Sequence, residues 1–223
     1  MDIRLLYSDD NIAVCIKPAG VLSEEGGMPE FLSSLLGGDF LCVHRLDKPV
    51  GGVMVYARSR AAAAELSRAV TEGRFEKEYL AAAQGVPQET SGSMRDLLFH
   101  DSRRNKTFVV DRQRRGVKEA LLDYELISTA QYAGMTVSAL RIRLHTGRTH
   151  QIRVQLASRG MPLAGDGRYG SALRDCGLAL WAASLRFPHP LTGRTLCFSA
   201  SPPDEAPWRE LGLHNKYKSS LEV

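Results

Sequence analysis

A chain of 223 residues is long enough for one well-buried domain, or one domain with a small insertion, but not for two large ones. With 43% hydrophobic and 24% charged residues it matches neither a disordered nor a membrane protein, and no apolar run approaches the length that spans a bilayer. A net charge of +4 does not by itself mark a nucleic-acid binder.

The first residues, Met1-Asp2-Ile3-Arg4, run into a strand-like segment without the apolar region of a signal peptide. Cys15, Cys42, Cys176 and Cys197 are widely spaced and lie in or beside apolar segments, which suggests reduced thiols rather than a metal pair or a disulfide framework. Both features predict a cytoplasmic protein. In chain order, residues 3–7 and 12–16 read as a hairpin across Ser8-Asp9-Asp10-Asn11, and Lys17-Pro18-Ala19-Gly20 breaks into a loop. Pro29 starts a short helix over 29–36. Phe40–Val43 and Gly52–Ala57 read as strands, and Ser59 caps an alanine-rich helix ending near Gly73. Strands follow over 77–83, 106–110, 120–127 and 135–144. Thr149 is the expected N-cap of a helix through Ser158, then strands over 178–187 and 195–198 flank a His189–Gly193 turn, and 205–213 reads as a closing helix. The order is no regular βαβα alternation, so the expected fold is α+β, with a mixed, largely antiparallel sheet flanked by a few helices. A single catalytic domain is expected over 1–213, with a polar tail over 214–223.

Two polar clusters interrupt this pattern. His44-Arg45-Leu46-Asp47 sits between two strands, and Pro49, Gly51 and Gly52 force a turn whose backbone allows close approach of a ligand. Read from these residues alone, the Asp47 carboxylate either caps a backbone amide or is presented as a nucleophile at a strand end. A hundred residues on, Leu144–Arg153 (LHTGRTHQIR) is too rich in donors for a core element. His145 and His150 lack a third ligand at a recognised spacing, so no metal is expected. There is no Walker A motif and no GxGxxG opening a helix, so no nucleotide cofactor is expected either. Between Arg103 and Lys118 seven basic residues stand against Asp111 alone, either an ordinary solvated hairpin loop or a surface for phosphates.

The stretches HRLDKPVGGVMVYARS and GRTHQIRVQLASRGMPLAGDGRYG, in this order, resemble the two principal motifs of the pseudouridine synthases. Shorter elements of the same family accompany them: IAVCIKPAGVLSE, EKEYLA, KEALLDYELI and LALWAASLRFPHPLTG. Together they span roughly residues 7–203 and are most similar to the branch acting on ribosomal large-subunit and transfer RNA. Val50 and Gly51 stand where that pattern usually has a hydroxyl pair, Gln155 where a His is common, Leu122 where a Thr is common, and Trp181 where a His often precedes Ala. The small RNA-binding domain that opens many relatives is expected to be missing.

The resemblance implies an RNA isomerase that needs no cofactor and works as a monomer on a stem-loop of ribosomal or transfer RNA. It implies Asp47, Tyr79 and Arg153 as catalytic residues: Asp47 attacks C1′ or removes a C2′ proton, Arg153 holds its charge, and Tyr79 stacks on the uracil and assists removal of the C5 proton. It also implies Leu180 packing on the tyrosine or base, Arg45 filling the space of an extruded base, His44 supporting the turn, and Arg148, His150 and Gln151 serving substrate binding. A non-catalytic RNA-binding module of the same fold would predict damage at Asp47, Tyr79 or Arg153, and all three are present.

Overall fold

The structure is a computed structural model describing residues 3–215 and 220–222. Its elements are β1 (Leu5–Ser8), β2 (Ile12–Lys17), α1 (Met28–Leu36), β3 (Leu41–Cys42), β4 (Gly51–Ala57), α2 (Arg60–Thr71), β5 (Glu76–Gln84), β6 (Ser91–Asp101), β7 (Lys106–Val110), β8 (Val117–Tyr132), β9 (Met135–Leu144), α3 (Gln151–Ala157), a 3-10 turn at Gly167–Tyr169, β10 (Leu180–Pro188), β11 (Thr195–Ser199) and β12 (Ser220–Glu222). The chain divides into two compact units. The first holds residues up to Glu78, Trp181–Pro202 and residues from Asn215; the second holds Tyr79–Leu180 and Pro203–His214.

In the first unit β1 pairs antiparallel with β2, β2 with β4, and β10 with β11. The one parallel pairing there among the described residues joins β4 to β10, Gly51 opposite Trp181 and Gly52 opposite Ala182. Every residue of β4 is buried, which accounts for a sequence without polar alternation. Helix α2 packs against β3 and β4 through Ala62, Leu66 and Ala69, spaced along one face. The β1–β2 turn is closed by Asp9, whose Oδ1 accepts the N–H groups of Asn11 and Ile12 at 2.8 and 2.9 Å. His189 Nε2 donates to Asp9 Oδ2 at 2.7 Å while its Nδ1 accepts from Leu191 and Thr192, so one imidazole ties two hairpin turns.

The second unit orders its strands β5-β9-β8-β6-β7. The β8–β9 ladder shifts register between Leu126 and Ser128. Helix α3 lies against β6 and β7, with Val154 packed on Leu98 and Ala120.

The α+β class with a largely antiparallel sheet holds, and three local expectations change. Strand β6 is an addition, because Ser91–Asp96 carries little apolar alternation; it forms because β7 and β8 pair on both its sides. Helix α3 starts at Gln151, not after a Thr149 cap: His150 is its N-cap, left-handed at φ 54°, and has no side-chain cap bond. Residues 205–213 make a series of turns rather than a helix. In the tail, Ser220–Glu222 pair antiparallel with β11. Among the described residues, no helix is long and apolar enough to cross a membrane.

The N-cap of α2 behaves as the sequence expects: Ser59 Oγ accepts the Ala62 N–H at 3.1 Å. Ser59→Ala is expected to lower stability by about 1 kcal/mol, read as a shifted denaturant midpoint with unchanged slope.

Candidate active site

In the first unit, Asp47 opens a tight turn closed by the Val50 N–H donating to the Asp47 carbonyl at 2.9 Å. Its side chain is half-buried. The turn rests on Lys17, the last residue of β2, which is fully buried. The Lys17 ammonium donates to the carbonyls of Pro18 at 2.9 Å, Val21 at 2.8 Å and Lys48 at 3.2 Å. The Lys48 carbonyl also accepts the Gly20 N–H at 2.8 Å. Burial pushes the Lys17 ammonium down to about 8, and the nearby Asp47 carboxylate works against that shift by favouring its charge. Sequence reasoning passes over this lysine. Its signal is a single cation ending an otherwise apolar strand, just before Pro18-Ala19-Gly20.

His44 is buried beside the Phe75 ring, centroids 5.2 Å apart, and its Nε2 accepts the Val55 N–H at 3.4 Å. Burial, and secondarily the Lys77 ammonium, hold the imidazole well below its ordinary value, so it is neutral. Its proton then sits on Nδ1, which has no hydrogen-bond partner among the described residues. Arg45 points the other way: 64% of its side chain is exposed, held by an ion pair with Glu24 at 3.1 Å.

The second unit carries Tyr79, Arg148, His150, Gln151, Arg153 and Leu180. Tyr79 and Leu180 are both buried, at 6% exposure. Arg153 is buried and gripped by Asp166, with Nε donating to Oδ2 at 2.7 Å and Nη2 to Oδ1 at 2.9 Å. Removing one side of such a pair strands a buried charge, at about 3–5 kcal/mol. The guanidinium also lies over the Tyr169 ring, 5.1 Å from its centroid. The Tyr169 hydroxyl accepts the Thr107 N–H at 2.8 Å and bonds His150 Nδ1 at 2.9 Å. Asp166 and Tyr169 lie at the end of the second motif, but their pairing with Arg153 is a tertiary contact that the motif does not report.

Gln151 is spent on its own loop. Its Oε1 accepts from Thr146 Oγ1 at 2.8 Å and the Arg148 N–H at 3.0 Å, and its Nε2 donates to the Leu121 carbonyl at 3.1 Å. Arg148 is tied to β8 by Nε donating to the Glu119 carbonyl at 2.8 Å. Gln155 is likewise structural, donating to the Met94 carbonyl and to Asp96. Among the described residues there is no cluster of three His, Cys, Asp or Glu that would hold a metal ion.

Residues 11–158 match the RNA pseudouridylate synthase family. The chain is 34% identical over 206 residues to the dual-specificity RNA pseudouridine synthase RluA of Escherichia coli strain K12, covering 88% of this chain and 91% of that protein. It is 31% identical over 229 residues to an RNA pseudouridine synthase of Aquifex aeolicus, covering 91% and 70%. Among solved structures, the human RNA pseudouridylate synthase domain containing 1 superposes with a TM-score of 0.81 at 27% identity, covering 92% of this chain and 85% of that one.

Lys17 generates a pH signature. Its folded-state value of about 8 lies below the unfolded value of 10.5, so between the two the unfolded chain binds more protons. Its burial penalty is therefore constant below about pH 8 and is relieved as pH rises toward 10.5. Denaturant titrations at pH 7 to 10 are expected to show wild type gaining stability relative to Lys17→Met, on the order of 3 kcal/mol across that window.

Proposed function

The chain belongs to the RNA pseudouridylate synthase family, and from that membership we propose that Asp47 is the carboxylate that breaks the glycosidic bond of its target uridine. The protein is an RNA pseudouridine synthase, an isomerase. In this reaction the bond from uracil N1 to ribose C1′ breaks, the base turns, and C5 joins C1′; the C5 proton leaves and N1 ends protonated. Attack at C1′ and proton removal at C2′ both require an ionised carboxylate. The observation that carries the assignment is the setting of Asp47, half-buried on a turn between two strands, with the backbone of that turn anchored by a buried ammonium.

On this reading Tyr79 and Arg153 complete the catalytic set, the tyrosine against the base and the arginine as the cation that keeps a carboxylate ionised away from water. The grip of Asp166 supports that role for Arg153 by fixing the orientation of its guanidinium. Leu180 adds an apolar contact for the ring. Arg45 is suited to fill the gap left by an extruded base, because an exposed ion pair such as that with Glu24 is weak, about 0–1 kcal/mol, and is readily exchanged. Arg148 meets the RNA backbone, while His150 and Gln151 act from beneath, holding the loop in shape.

The substrate on this reading is a stem-loop of ribosomal or transfer RNA, and the work is done in the cytoplasm by a monomer without cofactor. The β6–β7 turn and the β7–β8 loop bring phosphate-binding charge, with Arg103, Arg104, Arg112, Arg114 and Arg115 all exposed. Arg114 lies over the Phe99 ring at 5.0 Å, which steadies one of them.

Asp47→Asn is expected to abolish pseudouridine formation, measured by chemical labelling of the modified base, while RNA affinity survives; turnover in that variant would sink the assignment. Replacing Arg112, Arg114 and Arg115 by Gln is expected to weaken RNA binding and to flatten its salt dependence by roughly one slope unit for each phosphate that no longer meets a cation.

A further inference from the structure

Within the first unit, Gly51 and Gly52 begin β4 four and five positions after Asp47, and both lie closer to their neighbours than any other residue could. A Cβ built on Gly51 would stand 2.5 Å from Trp181 Cζ3, 3.0 Å from Trp181 Cε3 and 3.2 Å from the Lys17 carbonyl oxygen. A Cβ on Gly52, whose φ is +132°, would stand 2.3 Å from the Ala182 carbonyl. The indole cannot retreat. Trp181 is buried, and its Nε1 donates to the Ala200 carbonyl at 2.9 Å. The Asp47 turn is thus fixed at two places: at Lys48 by the Lys17 ammonium and the Gly20 amide, and at Gly51 by the indole beneath it.

We propose that Trp181 is a positioning residue for the reaction: its ring, seated on the bare backbone of Gly51, sets the height of the turn that presents Asp47. The proposal rests on the reading of Asp47 as the reacting carboxylate. Its lever is distance. Ordinary carbon contacts need about 3.5–4 Å, so a methyl group at Gly51 must lift the turn or push the ring by about 1 Å. A misplacement of that size is enough to cost about a hundredfold in rate. Gly51 has no positive φ, so alanine there tests volume alone, without backbone strain. The seat also accounts for two departures from the family pattern at once, since Gly51 and Trp181 touch each other.

The test measures kcat, RNA affinity and the denaturation midpoint for Gly51→Ala, Trp181→His and the double variant, with Asp47→Asn alongside. Gly51→Ala is expected to lose about a hundredfold in kcat, and Trp181→His, which removes the seat without a clash, about tenfold, both with RNA affinity within about twofold of wild type. The double variant is expected to run at least about tenfold faster than Gly51→Ala, because the smaller ring makes room for the methyl. In a Trp208→Phe background, where Trp181 is the remaining tryptophan, Gly51→Ala is also expected to shift the emission of the folded protein. A purely structural seat would move only the midpoints. Both single variants turning over within about threefold of wild type while Asp47→Asn is inactive would overturn the role of Trp181 and leave Asp47 standing, as would a double variant no faster than Gly51→Ala. An active Asp47→Asn would overturn the catalytic assignment itself.

Discussion

The ammonium of Lys17 lies out of reach of water and donates to three carbonyls, two in the loop after β2 and one in the turn that opens at Asp47, so it ties the two together. Burying a cation costs several kcal/mol unless its donors are matched and an opposite charge lies near. Here the carbonyls of Pro18, Val21 and Lys48 match the donors, and Asp47 is the nearby charge. The arrangement constrains in both directions. The turn cannot drift without weakening the bonds of the ammonium, and the nearby carboxylate in turn favours the charge of the lysine against its burial. One lysine thus anchors the turn and sets a positive charge near its carboxylate.

The second unit uses a different device for a comparable end. Arg153 is planar and stays charged, and it is held by two parallel bonds to Asp166 with the Tyr169 ring against its face. Tyr169 is itself fixed through Thr107 and His150, and the Thr107 hydroxyl donates to the Thr149 carbonyl at 2.8 Å. The loop before α3 therefore needs no conventional N-cap. Gln151 closes it from inside, which is why His150 adopts a left-handed conformation and the helix starts one residue after it. His150 and Gln151 make hydrogen bonds that shape the segment carrying Arg153.

Much of this is legible in the chain itself, for physical reasons that differ by element. The β1–β2 hairpin, α1 with its leading proline and α2 with its serine cap depend on neighbours within a few residues, and so they stand where local rules place them. Strand β6 escapes such rules because its edges are satisfied by partners, not by its own pattern. The expected closing helix over 205–213 is a series of turns. The His44–Asp47 run is recognisable from its motif. The lysine beneath it is not, because a buried charge looks the same as an exposed one in a string of letters.

Residue types at short spacings within two long motifs are enough to establish the family and the reaction. What holds those residues is visible only in the folded chain: Lys17 reaching across 31 positions to Lys48, Asp166 returning 13 positions to Arg153, and Trp181 lying under Gly51. The physical reason is common to all three. A charge or a ring is positioned by whatever satisfies it after burial, and burial brings together residues that the chain keeps apart.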